Sequence, residues 1–351
     1  MKKTLPSIFL CALISLSACK KSEQPLQNLN EVSSNLSATA QPPRLSVITI
    51  AGKNNVEGSA DGQGDQARFD FPYGIDIGQD GNLYVADMFN NAIRKVTPAG
   101  NVSTVTISPS SDGQTLFLPI KVLVGTDGTL SVLTNWDLST PDKHKYWIIK
   151  PTGELITPAS QVNYYTYIYH DICKDPFSNY LQLSGERYVT THRAYRQGFI
   201  ESAEIVNGIM GQHPYSPPLD SLNTESREYS AMTNIYCGYN GVKYIVIRNR
   251  YVYKLTKSGV FTRIYRDINF HEIRDLVATN DSKTIYFVDR GEIVSVSNNK
   301  LTKLVGFTGS FSNPDGVGNK AYVFASHLAL SKDEGTLYFT DDQTVRKLIL
   351  R

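Results

Sequence analysis

Between residues 69 and 105 the chain alternates apolar and polar positions in four short runs. Ile75 and Ile77 mark the first, Leu83 to Ala86 the second, Ile93 to Val96 the third and Val102 to Val105 the fourth. Asp80-Gly81, Asn90-Asn91 and Ala99-Gly100 separate them. A period of two bounded by such dipeptides predicts strands, because successive strand side chains face opposite ways and these residues accept tight-turn backbone. Four antiparallel strands in about forty residues predict one blade of a β-propeller.

The pattern recurs. Near the C-terminus, Phe324 to Leu330, Leu337 to Asp341 and Val345 to Leu348 reproduce the first three strands, with Glu334-Gly335 at the first turn. Even the lead-in returns: Asp61-Gly62, Gly64 and Ala67 match Asp315-Gly316, Gly318 and Ala321. Weaker copies lie at Pro119 to Lys150, Asn240 to Leu255 and Thr284 to Val296. A further copy, without the turn glycine and the aspartate, falls between about Tyr164 and Ile205. This pattern resembles the NHL-repeat family of β-propellers over roughly residues 45–351, closely at both ends and by position only in the middle.

Counting the copies predicts an all-β fold, a six-bladed β-propeller of four-stranded antiparallel blades. The last copy stops after three strands, and Leu45 to Ile50 is free to supply the fourth, so the N-terminal strand is expected to complete the last blade. Such closure removes sheet edges that otherwise pair with other chains.

The first 44 residues read differently. Lys2 and Lys3, an apolar run from Ile8 to Leu16 and the exit Leu16-Ser17-Ala18-Cys19 have the layout of a secretory signal peptide. The exit resembles the bacterial lipobox, which implies cleavage after residue 18 and lipidation of Cys19. Lys20 at the next position favours, by the same resemblance, the outer membrane, with its face open. From Lys20 to about Arg44, Ser, Asn, Gln, Ala and Pro dominate with no aromatic residue, which predicts a flexible tether. Cleavage takes two of the 35 basic residues and none of the 33 acids, so the mature chain is neutral and the lipid must supply the membrane hold. The same balance argues against a nucleic-acid partner, and a monomer is expected. Of four cysteines, Cys11 leaves with the leader and Cys19 is acylated. Cys173 and Cys237 remain for one disulfide, but their strand-like apolar settings favour buried, unpaired thiols.

Candidate chemistry is sparse. Gly62, Gly64 and Ala67 spell a dinucleotide loop, but the twin at Gly316, Gly318 and Ala321 favours a structural inter-blade loop over a cofactor site. Asp61 and Asp65 lack the oxygen set of a calcium loop. Alignment of the copies places Gly74, Lys121, Asp171, Asn234, Asp275 and His327 near the start of each inner strand, with Tyr73, His170, His271 and Arg274 beside them. These residues either form a binding site at the channel mouth or pair as polar groups lining a wet channel.

Two enzyme families resemble such a ring. Gluconolactonase-like and paraoxonase-like propellers hold a divalent cation with axial Glu, Asn and Asp, but Lys121 and His327 occupy two of those positions here. Peptidyl-hydroxyglycine lyases imply a three-histidine zinc site, for which His170, His271 and His327 are the candidates. A cation beside Lys121 is electrostatically disfavoured and His271 lies several residues ahead of its strand, so no metal or cofactor and no catalytic residue is expected. A second candidate surface is the Tyr- and Arg-rich stretch containing Tyr195, Arg196, His213 and Tyr215, set against aromatics that merely pack between blades. The favoured reading is a lipid-anchored extracytoplasmic binding or scaffold propeller for a protein, peptide or glycan. The alternative is a metal-dependent hydrolase or lyase acting in the channel.

Overall fold

The computed structural model describes residues 41–134, 146–156, 167–177, 180–188, 196–204, 231–306 and 313–351. The expected signal peptide, Cys19 and most of the expected tether therefore lie outside the described residues. The rest is all-β, a β-propeller whose sheets follow one another along the chain.

Sheet I contains Pro72–Ile77, Leu83–Asp87, Ala92–Val96 and Asn101–Thr104. Sheet II contains Pro119–Val124, Leu130–Thr134, Tyr146–Ile149 and Leu155–Ile156. Sheet III has Tyr167–Lys174, Tyr180–Tyr188 and Arg196–Glu204. Sheet IV has Met232–Cys237, Lys243–Ile247, Tyr251–Leu255 and Phe261–Arg263. Sheet V has Ile273–Ala278, Thr284–Asp289, Glu292–Ser297 and Lys300–Val305. In sheet VI, Ala325–Leu330, Thr336–Asp341 and Thr344–Ile349 are joined by Ser46–Gly52.

The expected six blades are corrected to five. Sheets I, II, IV, V and VI have the four-stranded blade, whereas sheet III has three strands among the described residues. Its strands of eight, nine and nine residues take up about as many strand positions as the four six-residue strands of sheet V. A tally of apolar runs cannot distinguish three long strands from four short ones.

Closure is made by the N-terminal strand. Val47 pairs with Leu348 and Ile48 with Lys347, and the Leu45 amide donates to the Ile349 carbonyl at 2.6 Å. Apolar clusters then fill the wedge between each sheet and the next. Ile75 and Val85 of sheet I, with Phe69 just ahead of it, pack with Val345 of sheet VI, and Val288 and Val305 of sheet V pack with Phe339 and Leu348 on the other flank of sheet VI.

One local device shapes the first hairpin of every sheet. The Asp80, Asp127, Asp175, Asn240, Asp281 and Asp333 side chains each accept a hydrogen bond from the backbone N–H two residues on, at 2.9–3.1 Å. Such Asx turns set the hairpin without help from tertiary contacts.

A second device occurs twice and accounts for the repeated lead-in loops. Arg94, buried in sheet I, donates to Asp87 at 2.7 Å, Asp61 at 2.8 Å and the carbonyls of Arg68 and Ala60. Arg346 of sheet VI donates to Asp341 at 2.5 Å, Asp315 at 2.9 Å and the carbonyls of Tyr322 and Pro314. In both clamps the lead-in aspartate also takes the backbone N–H and hydroxyl of a neighbouring threonine, Thr104 or Thr49. Asp61 is thus engaged in the fold, as the structural reading of its loop requires.

Cys173 and Cys237 are joined in a disulfide, their Cα atoms 5.8 Å apart. This corrects the expectation of unpaired thiols. The two residues lie on the inner strands of the consecutive sheets III and IV, where the sequence pattern alone does not show that their side chains meet. Closing a loop over a separation of 64 residues stabilises the fold by about 4 kcal/mol in the chain-entropy account.

Candidate binding face at the channel mouth

The inner strands begin at Pro72, Pro119, Tyr167, Met232, Ile273 and Ala325. Each has a register irregularity within its first few residues: after Pro72, Pro119, Tyr169, Met232, Ile273 and Ala325. Bulges re-aim side chains, and here they surround the polar positions singled out in the sequence. Gly74 is required for close approach. A Cβ there would come within 2.6 Å of the Ile120 carbonyl oxygen and the Lys121 Cα.

Three of the predicted residues meet. Lys121 Nζ lies 3.2 Å from Asp171 Oδ1 and 3.1 Å from Asp275 Oδ1, all three buried and drawn from sheets II, III and V. The second oxygens are also used: Asp171 Oδ2 accepts the Ile235 N–H at 3.0 Å and Asp275 Oδ2 the Leu328 N–H at 2.9 Å. Burial pulls the Lys121 pKa down, but the two carboxylates outweigh it and hold the ammonium above its usual range. Burial, opposed by Lys121, pushes the Asp171 carboxyl up to about 6. Its Lys121–Asp275 arm ties the non-adjacent sheets II and V across the ring.

Asn234 Nδ2 donates to the Arg274 carbonyl at 2.7 Å. His327 is only 5% exposed, and its N–H donates to Thr340 Oγ1, which in turn donates to the Tyr73 carbonyl. Burial, helped by Lys121 and Arg274, lowers the His327 pKa to about 3, so the imidazole is neutral. Among the described residues, His327 Nδ1 and Asn234 Oδ1 are buried without a hydrogen-bond partner. Buried polar atoms of this kind are ordinarily satisfied by water or a ligand. His170 sits at the irregularity of its inner strand, half-buried. His271 is held outside by Asp289, whose carboxylate accepts its backbone N–H at 2.9 Å. No group of three His, Cys, Asp or Glu side chains among the described residues is placed to hold a metal ion.

An aromatic ledge that sequence reading missed leads out from His327. The Tyr73 ring lies 4.4 Å from His327, Phe71 stacks on Tyr73 at 5.8 Å, and Phe89 follows at 5.3 Å. Phe71 and Phe89 are 41% and 52% exposed, well beyond what packing demands. Phe71 has φ +58°, a left-handed conformation costly for an aromatic residue. The neighbouring Asp70 N–H is gripped by Asp87, and the Phe71 carbonyl accepts the Met88 N–H. Beside the ledge, the Arg274 guanidinium covers exposed Phe324 at 4.4 Å. The signal available in the sequence was the placing of Phe71 and Phe89 next to turns, where polar residues are usual.

Of the second predicted surface, Tyr195, His213 and Tyr215 lie outside the described residues, and Arg196 is known only as the first residue of its strand.

No family model matches this chain, and no curated protein matches it. Solved structures do. An auxiliary nutrient binding protein from Bacteroides thetaiotaomicron is 13% identical with a TM-score of 0.64, covering 87% of this chain and 76% of that one. An auxiliary nutrient binding protein from Bacteroides ovatus gives 15%, 0.63, 87% and 76%. A catalytically inactive virginiamycin B lyase from Staphylococcus aureus with quinupristin gives 13% and 0.52, covering 88% of this chain and all of that one. At these identities the likeness shows the propeller fold alone.

Proposed function

We propose that this protein is an extracytoplasmic binding propeller, anchored by lipid at Cys19, that takes a glycan on the aromatic ledge at its channel mouth. The run of rings from exposed Phe89 to buried His327 carries this reading. Aromatic faces exposed side by side, one of them held in a strained backbone, cost stability in the free protein and suit the flat apolar faces of sugar rings. The names of the nutrient-binding propellers that share the fold are consistent with it. Catalysis in the channel is the weaker reading, because the carboxylates that a divalent cation would need already grip the Lys121 ammonium.

The test is a screen of oligosaccharides and peptides against the wild type and Phe71→Ala/Phe89→Ala. Saccharide hits that weaken at least tenfold in the variant, with an unchanged melting temperature, support the reading. Hits confined to peptides, or saccharide binding untouched by the substitutions, overturn it. Cys19→Ser should release the protein from the membrane fraction, and retention there would remove the anchor.

A further inference from the structure

The second strand of each sheet ends beside the start of its inner strand. In sheets V, VI and I its last residue is a buried aspartate: Asp289, Asp341 and Asp87. These three sheets follow one another round the ring, since sheet VI packs on sheet V and sheet I on sheet VI. In sheets II, III and IV the same strand ends in Thr134, Tyr188 and Ile247, none of them a carboxylate. Each aspartate turns one oxygen, Oδ1, onto the backbone of the loop that enters its inner strand. Asp87 takes the Asp70 N–H at 2.8 Å and Asp341 the Phe324 N–H at 3.0 Å. Asp289 takes the N–H groups of His271 and Glu272 at 2.9 and 2.7 Å. The loops so held, and the strands they enter, carry Phe71, Arg274 and Phe324.

The latch of sheet I bears on the ledge directly. Phe71 holds φ +58° immediately before Pro72. That backbone is strained for an aromatic residue, and a following proline biases its predecessor toward extended backbone instead. The conformation therefore has to be imposed from outside the residue. Asp70 gives its N–H to Asp87, and its carbonyl accepts the Phe89 N–H at 3.1 Å. The Phe71 carbonyl accepts the Met88 N–H at 3.2 Å, so the two turns that bear the exposed rings are pinned to each other. Behind them, Asp87 Oδ2 is fixed by Arg94 at 2.7 Å and Asn90 at 2.8 Å. In sheet VI the latched Phe324 ring lies against Gly291, where a Cβ would come within 2.6 Å of Phe324 Cδ2. Rings set in advance lose less freedom when a ligand stacks on them.

We infer that Asp87, Asp289 and Asp341 are positioning residues for the channel mouth, and that Asp87 acts on a bound saccharide through the backbone of Phe71. The saccharide rests on the proposed function, whereas the latching rests on the hydrogen bonds alone. It makes sheets V, VI and I the part of the mouth that is shaped before a ligand arrives.

The test has two arms on the full folded protein. Amide hydrogen exchange needs no ligand. In Asp87→Ala the Asp70 and Phe89 amides should exchange at least tenfold faster than in the wild type, and in Asp289→Ala the His271 and Glu272 amides should do so, each variant leaving the other's amides unchanged. Asp289→Ala spares both arginine clamps, so it carries this arm even where Asp87→Ala fails to fold. Saccharide binding is measured with maltohexaose, cellohexaose and xylohexaose. The one held tightest by the wild type should weaken at least tenfold in Asp87→Ala, and Asp87→Ala should cost nothing further once Phe71 is alanine. Asp87→Asn, which keeps an oxygen for the Asp70 N–H, should lose stability but retain most of the affinity. Unchanged exchange rates would overturn the inference, as would an Asp87→Ala loss that persists in full beside Phe71→Ala. Faster exchange with no saccharide bound, or with binding indifferent to Phe71→Ala, would leave the latches standing and sink the ledge.

Discussion

The molecule buries charge in two ways. The Arg94 and Arg346 clamps are local: each guanidinium meets acids from its own blade and the loop leading into it, within 33 residues in the chain. The channel triad is global, with Lys121 reaching Asp275 across a separation of 154 residues. In the clamps one acid, Asp61 or Asp315, stays nearly half exposed and keeps its hydration. In the triad all three side chains are within 10% of full burial, so each depends on the others for charge compensation. A local clamp can form as its blade forms. The triad can exist only when sheets II, III and V already stand around one axis.

Removing the cation should separate the two most sharply. Lys121→Met leaves two buried carboxylates uncompensated and is expected to cost about 3–5 kcal/mol or more at pH 7, measured by urea unfolding. The same variant should regain stability as the pH falls toward 5. Its native carboxyls would then hold protons that the unfolded chain does not, so the slope of stability against pH is negative. An unchanged midpoint at both pH values would show that the triad is not coupled to folding.

Arg94→Met should cost somewhat less, about 3 kcal/mol, because Asp61 can turn to solvent and only Asp87 is stranded. Combined with Arg346→Met, the losses should add within about 0.5 kcal/mol if the clamps are independent, as their locality requires. A strongly non-additive pair would make them parts of one network.

His327 sharpens the electrostatics of the channel. Its folded pKa of about 3 lies below the unfolded value, so the unfolded chain binds the proton first. Stability from this residue is full above about pH 6.5 and is lost as the pH falls toward 3. His327→Gln should flatten that acid-side loss between pH 6 and 4, read from unfolding midpoints. The smallest effect is expected at the wet end of a clamp. Asp61→Asn should shift stability by less than about 1 kcal/mol, since Asp61 is half exposed and buried Arg94 keeps Asp87.

Much of this was legible in the residues. The Asx hairpins, the paired lead-in loops and the unfinished last copy are all local patterns, and each led to a feature of the fold. Lys121, Asp171 and Asp275 were picked out by their equivalent places in the repeat, which says where a residue starts in a blade but not whom it meets. The aromatic ledge is not legible in this way, because the exposure of Phe71 and Phe89 is a property of the assembled face. Sheet III escaped for a different reason, because strand length is decided by pairing partners as well as by apolar runs.

By itself the sequence determined the blade, its turns and the strand that completes the ring, because these depend on periodicity and on contacts between neighbours in the chain. Only the tertiary structure decided that Lys121 sits between two distant aspartates, that Cys173 bonds to Cys237, and that four rings line up from the rim to the channel. Those outcomes depend on which sheets stand side by side and how far each strand turns toward the axis. A one-dimensional pattern carries neither distance.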